Sequence, residues 1–179
     1  MRTWLAAVLL LAAPASAQDA LDRALSAELG RAKRELRADG FAPPYFVAAD
    51  VWDYEERQAW AQLGRPVAET SQKQRIALFD LRVGSRELDN HPLEPKSDYA
   101  AQAVPGVDDE GVLRHAFWLM LDNAYKTASG DHLRKKAQRV QKGKADYDAD
   151  DLAPEPPRER RLPPPAPVDA APALAAAAA

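Results

Sequence analysis

The sequence predicts an α+β fold: a small antiparallel sheet of about three or more strands packed against two main helices, with a disordered Pro/Ala-rich C-terminal tail. Three observations carry this. Apolar residues recur at helical spacing over Leu21 to Leu36 and again over Val112 to Ala128. Between them, runs rich in Tyr, Phe, Val and Ile alternate with a period of two. Past residue 153 lie eight of the fifteen prolines, in a stretch with too few large apolar side chains to offset its ordering entropy. At 179 residues, 46% hydrophobic and 28% charged, the chain suits one domain with one core.

The start of the chain speaks to compartment. Arg2 supplies a basic end, Leu5 to Ala13 an apolar run, and Ala15-Ser16-Ala17 the small-x-small pattern of a secretory signal peptide cut before Gln18. The apolar run is about half of the ~20 residues a spanning helix needs, so export without a stable membrane anchor is expected, to the periplasm or the exterior. Residues 1–17 are thus the signal peptide, 18–145 the α+β domain and 146–179 an acidic, then Pro/Ala-rich, tail.

From Asp19 onward, Leu21, Leu25, Leu29, Ala32 and Leu36 form one apolar stripe among charged residues, and Asp39-Gly40 is a natural stop. Gly30 within this helix costs on the order of 1 kcal/mol relative to alanine. Three strands are then expected. FAPPYFVAADVWD carries the first, YEERQAWAQLG the second with one wet side, and RIALFDLRV the third, reached through the loop GRPVAETSQ and ended at Gly84.

The second helix is the most apolar segment. Leu113, Phe117, Met120, Leu121 and Tyr125 make a broad stripe that Trp118 and Leu119 widen, with Asp108 as the expected N-cap. Either the sheet and first helix cover this stripe or another chain does, which makes Phe117, Trp118, Met120 and Tyr125 the candidate partner or interdomain surface. Past Gly130 the basic run HLRKKAQRVQKGK reads as a frayed, solvent-facing extension.

Chemistry is sparsely represented. The absence of cysteine excludes a disulfide framework, thiolate catalysis and cysteine-ligated zinc. A net charge of −3 and pI near 5.7 give no positive field to recruit nucleic acid. No HExxH, GxSxG or Gly-rich phosphate loop occurs, and DYDADD lacks the glycine and the final glutamate of a calcium loop. His91, His115 and His132 share no helical turn. The remaining polar cluster, Asp89-Asn90-His91 before Pro92, is the composition of a turn that closes a strand. No catalytic residue and no metal ligand is therefore assigned. An enzyme built on His91, His115 and the carboxylates is the weakest of the readings.

The order of these pieces resembles the N-terminal region of exported bacterial proteins related to the TldD/PmbA metallopeptidase family. The likeness covers about Leu21 to Asp151 and is carried by PPYF (Pro43 to Phe46), LRVGSRELDN (Leu81 to Asn90) and the Ala-Tyr-Lys of Ala124 to Lys126. It implies an α/β layer preceding a larger β-rich domain, with zinc on a His-Glu-x-x-x-His helix in complete family members. Here His91, His115 and His132 are followed by Pro, Ala and Leu, so no catalytic residue carries over and no cofactor is expected in this chain. APALAAAAA reads as a linker cut short. The resemblance thus implies a non-catalytic N-terminal domain, truncated or free-standing, whose partner is a TldD/PmbA-type second domain or subunit or a second copy of itself. The alternative is an exported adaptor with no peptidase relation.

Overall fold

In the computed structural model the described residues are 17–63, 65–91, 101–142, 150–154, 156–162 and 175. The expected signal peptide lies outside them except for Ala17, as do most of DYDADD and most of the proline-rich end. Helix α1 (Ala17–Glu35) leads through Gly40, whose φ of 80° no L side chain adopts readily, into strand β1 (Pro44–Gln62). Strand β2 (Arg65–Val83) follows, then the short β3 (Gln102–Val104) and helix α2 (Glu110–Lys142). The sheet is antiparallel in the order β1-β2-β3. The α+β class and the two main helices are as the sequence predicts.

The strands are divided differently. The first two expected strands are one continuous β1, and the third is only the second half of β2, whose first half is the stretch expected to be a loop. The physical reason is that no Gly or Pro interrupts Tyr45 to Leu63, so nothing ends the strand before the turn. Gln62 pairs with Arg65, leaving a two-residue connection at Leu63-Gly64, and Leu63 takes a φ of 51°. The sheet's third strand is β3, which pairs over Arg75–Ala77 and has no counterpart among the expected strands.

Both helices pack on one face of the sheet. On that face β1 presents Val47 and Val51, and β2 presents Ala77, Phe79 and Leu81. One cluster joins Leu21 and Ala24 of α1 to Leu113, Phe117 and Met120 of α2; a second joins Ala32 and Leu36 to Leu121, Tyr125 and Ala128. Phe79 touches both and meets Phe117 edge-on, centroids 5.7 Å apart. The small residues Ala24 and Ala32, with no exposed surface, let α1 approach α2 closely. Between them lies buried Glu28, which accepts hydrogen bonds from Arg31 at 2.5 Å and Arg114 at 3.0 Å.

Helix α2 also departs from expectation at both ends. Its N-cap is Asp109, whose Oδ1 accepts the Val112 N–H at 3.0 Å; Asp108 instead contacts Arg75. Nor does it fray past Gly130: it continues to Lys142, and His132 and Lys135 are buried rather than solvent-facing. The strand exit after Val83 covers them, through Gly84 against His132 and the His91 carbonyl against Lys135.

Candidate interaction surface

Of the four residues expected to form a partner surface, three belong to the core. Phe117 has no exposed area, Met120 and Tyr125 are buried, and the Tyr125 hydroxyl donates to the Ala42 carbonyl at 3.2 Å. The sheet and α1 thus cover the stripe from within. Trp118 remains 40% exposed, stacked on His115 and lying under the Arg31 guanidinium. Sequence periodicity marks a helix's apolar arc but not which neighbour fills it.

Asp89, Asn90 and His91 converge at the exit of β2. A turn closed by the Ser85 N–H on the Leu88 carbonyl brings Asp89 opposite Gly84. The Asn90 amide then extends the β2 pairing, accepting from the Val83 N–H at 2.8 Å and donating to the Leu81 carbonyl at 3.3 Å. Asp89, wholly buried, accepts from the His91 N–H (2.6 Å), the Tyr45 hydroxyl (2.9 Å) and Arg82 (3.1 Å). Lys135 of α2 closes the group, donating to the His91 carbonyl at 2.7 Å and to Asp151 at 2.5 Å. Asp151 also accepts the Asp89 N–H at 2.7 Å, while the Leu152 N–H donates to the Arg86 carbonyl at 3.2 Å. Asp151 and Leu152, within the stretch the sequence assigns to the tail, are therefore bonded to the packed body.

The electrostatics are those of a satisfied network. Burial opposes the Asp89 charge, but the His91 N–H, the Tyr45 hydroxyl and Arg82 outweigh it and hold the carboxyl below its ordinary range. Burial and the bond to Asp89 push the Tyr45 phenol up. The His132 imidazole is held below its ordinary 6.5 by burial and by the charges of Lys136 and Lys135. Its Nε2 lies so near Gly84, φ 100°, that a Cβ there would approach within 2.7 Å. The carboxylates of Asp89 and Asp151 are both engaged by donors of the fold itself. Among the described residues, no set of three or more His, Asp or Glu side chains is placed to hold a metal ion. A recess of about 240 Å³ beside Phe41, Tyr125 and Ser129 gathers no convergent charged groups beyond Lys126, itself paired with Asp122.

Among the described residues, the largest run of exposed aromatic side chains lies elsewhere, on the β1–β2 hairpin. Strands of 19 residues span about 60 Å, whereas the apolar residues they give to the core lie within Val47 to Val51 and Ala77 to Val83. Arg75 marks the root of the projecting part. Buried at the edge of the body, it donates to both oxygens of Asp53 (2.7 and 2.9 Å), to the Val107 carbonyl and to Asp108 (both 3.3 Å), and the Asp53 bond raises its already high pKa. Beyond it the helix-side face is charged, with Glu55 paired to Arg57 at 2.7 Å and to Lys73 at 3.8 Å. The opposite face is aromatic. Trp52 at the level of the root (opposite Ile76), and beyond it Tyr54 (opposite Gln74) and Trp60 (opposite Ala68), are all more than two-fifths exposed, and Leu63 at the tip is 95% exposed. This signal was present in the sequence as even-numbered aromatics at 52, 54 and 60, but dividing β1 into two strands hid their continuity.

Fold and surface together define a class: an α+β domain that anchors a long two-stranded arm. Comparison with known proteins returns no matching family model, curated protein or solved structure. No helix of the described residues is long and apolar enough to cross a membrane.

Proposed function

We propose that this chain is an exported, non-catalytic domain of the TldD/PmbA-like kind whose task is to dock a partner chain through the β1–β2 arm. The observation that carries the reading is the arm itself. Among the described residues the hairpin beyond Arg75 has neither a third strand nor a covering helix; such an arm is marginal in water, and this one exposes Tyr54, Trp60 and Leu63, with Trp52 exposed at its root. Three features support placement beside that family: the motifs PPYF, LRVGSRELDN and Ala-Tyr-Lys, their order along the chain, and their use here. Tyr45, Arg82, Asp89 and Asn90, all from the first two motifs, meet in one structural network, and Tyr125 from the third seals the core. Zinc belongs, on this reading, to complete family members only.

The test has two arms. The purified chain, cut before Gln18 as its exported form requires, should not hydrolyse unstructured peptides with zinc added; metal-dependent cleavage would overturn the non-catalytic assignment. Replacing Trp52 and Trp60 by serine should leave the circular dichroism intact and abolish association with a second copy or with the β-rich domain of a TldD/PmbA protein. Unchanged association by the double variant would remove the arm from the proposal.

A further inference from the structure

Resting on the docking role of the arm, we propose that its partner is a second copy of this chain, joined antiparallel along the outer edge of β1 about a two-fold axis at Glu56. The two edges of the hairpin differ. Past its root β2 carries Pro66, which has no N–H to donate, and Lys73, both devices that discourage strand addition. From Tyr45 to Gln62 β1 has neither proline nor lysine, and among the described residues its outer edge has no strand partner.

Symmetry narrows the register. A two-fold that joins two β1 edges antiparallel must run perpendicular to the sheet, which keeps each face continuous and opposes residues of the same parity. Pairing about Glu56 sets Glu55 opposite the partner's Arg57, and Arg57 opposite the partner's Glu55, on the charged face. On the aromatic face it sets Trp52 opposite the partner's Trp60, twice over, and Tyr54 opposite Gln58. Opposite charges and aromatic pairs are the favourable cross-strand combinations. The Glu56 pair on the axis is the one unfavourable contact. Moving the axis to Tyr54 opposes Asp53 to Glu55; moving it to Arg57 pairs Tyr54 with Trp60 but opposes two arginines and loses the Glu55–Arg57 pairs; moving it to Glu55 sets Asp53 opposite Arg57 but opposes two glutamates and pairs no aromatics. Glu56 is the centre at which charge and aromatic complementarity coincide, and that self-complementarity selects a second copy over an unrelated chain.

The absence of native cysteine makes the test clean. The full exported chain should sediment as a dimer. Glu56→Cys should cross-link to itself with a short bifunctional thiol reagent, whereas Gln72→Cys, at the same level on β2, should not. Arg57→Glu opposes like charges at two symmetric positions and should raise the dimer dissociation constant roughly tenfold. The double exchange Glu55→Arg with Arg57→Glu restores complementarity and should rescue it. A dimer that fails to cross-link at residue 56, or that ignores the charge exchange, overturns the inference. So does a monomer at high concentration. If that monomer binds the β-rich domain of a TldD/PmbA protein through Trp52 and Trp60, only the second copy is lost as partner. If it binds neither, the docking role falls as well.

Discussion

Asp89 has no exposed surface, and it is spared an isolated buried charge only because a backbone N–H, a phenol and a guanidinium all point at it. Replacing it with alanine strands those donors and should cost about 3–5 kcal/mol in urea unfolding, whereas Tyr45→Phe, which deletes one donor, should cost about 1–2 kcal/mol. The same groups set the pH response. The fold favours neutral His132, so the unfolded chain binds more protons between the lowered folded value and 6.5. Stability is full above 6.5 and declines as pH falls through that window. Asp89, held below its ordinary 3.8, contributes stability that is full above 3.8 and lost as pH falls through the folded value. Urea midpoints measured from neutral to strongly acidic pH should therefore fall in two stages, and His132→Gln should erase the first while leaving the second.

At the scale of elements, the second half of α2 holds its place by burying a lysine. Lys135, 4% exposed at its side chain, needs Asp151 at 2.5 Å and the His91 carbonyl at 2.7 Å to offset its desolvation. The acidic residue comes from past the end of the helix, so the folding unit reaches Leu152. A chain ended at residue 145 should lose about 3 kcal/mol relative to one ended at 154, and Asp151→Asn in the full chain should reproduce most of that loss in thermal or urea unfolding. Gly130 does not end α2 because a glycine costs a helix interior only about 1 kcal/mol, less than the packing on either side of it supplies. The basic run HLRKKAQR looked solvated because its helical spacing places one lysine and one histidine inward among many outward charges. Only the position of Asp89 and Asp151 shows which ones they are.

Across the whole molecule, stability is graded along the hairpin. Near the helices β1 and β2 share the core through Val51, Ala77, Phe79 and Leu81; past Arg75, among the described residues, they pair with each other only. Hydrogen exchange should find amides of residues 47–51 and 77–81 opening with the global free energy and those of residues 54–72 opening earlier. Trp60→Ser, far from the clusters, should change the free energy of unfolding by no more than about 0.5 kcal/mol, and Trp52→Ser, more than half covered at the root beside Ile76, by about 1 kcal/mol. Such a gradient suits a body that folds by itself and an arm that gains its last stabilisation from a partner.

Local pattern alone determined the class of fold, the two helices, the faces those helices bury and the strand-closing character of Asp89 to His91, because periodicity and turn chemistry act over a few residues. Strand length, the pairing of β3, the inward turn of His132 and Lys135 and the recruitment of Asp151 were decided by tertiary structure. Each depends on a partner far along the chain: Asp151 lies 62 residues from the N–H it accepts. A charged side chain reads as solvated until the opposite charge that can bury it is brought alongside, and only the folded backbone brings it there.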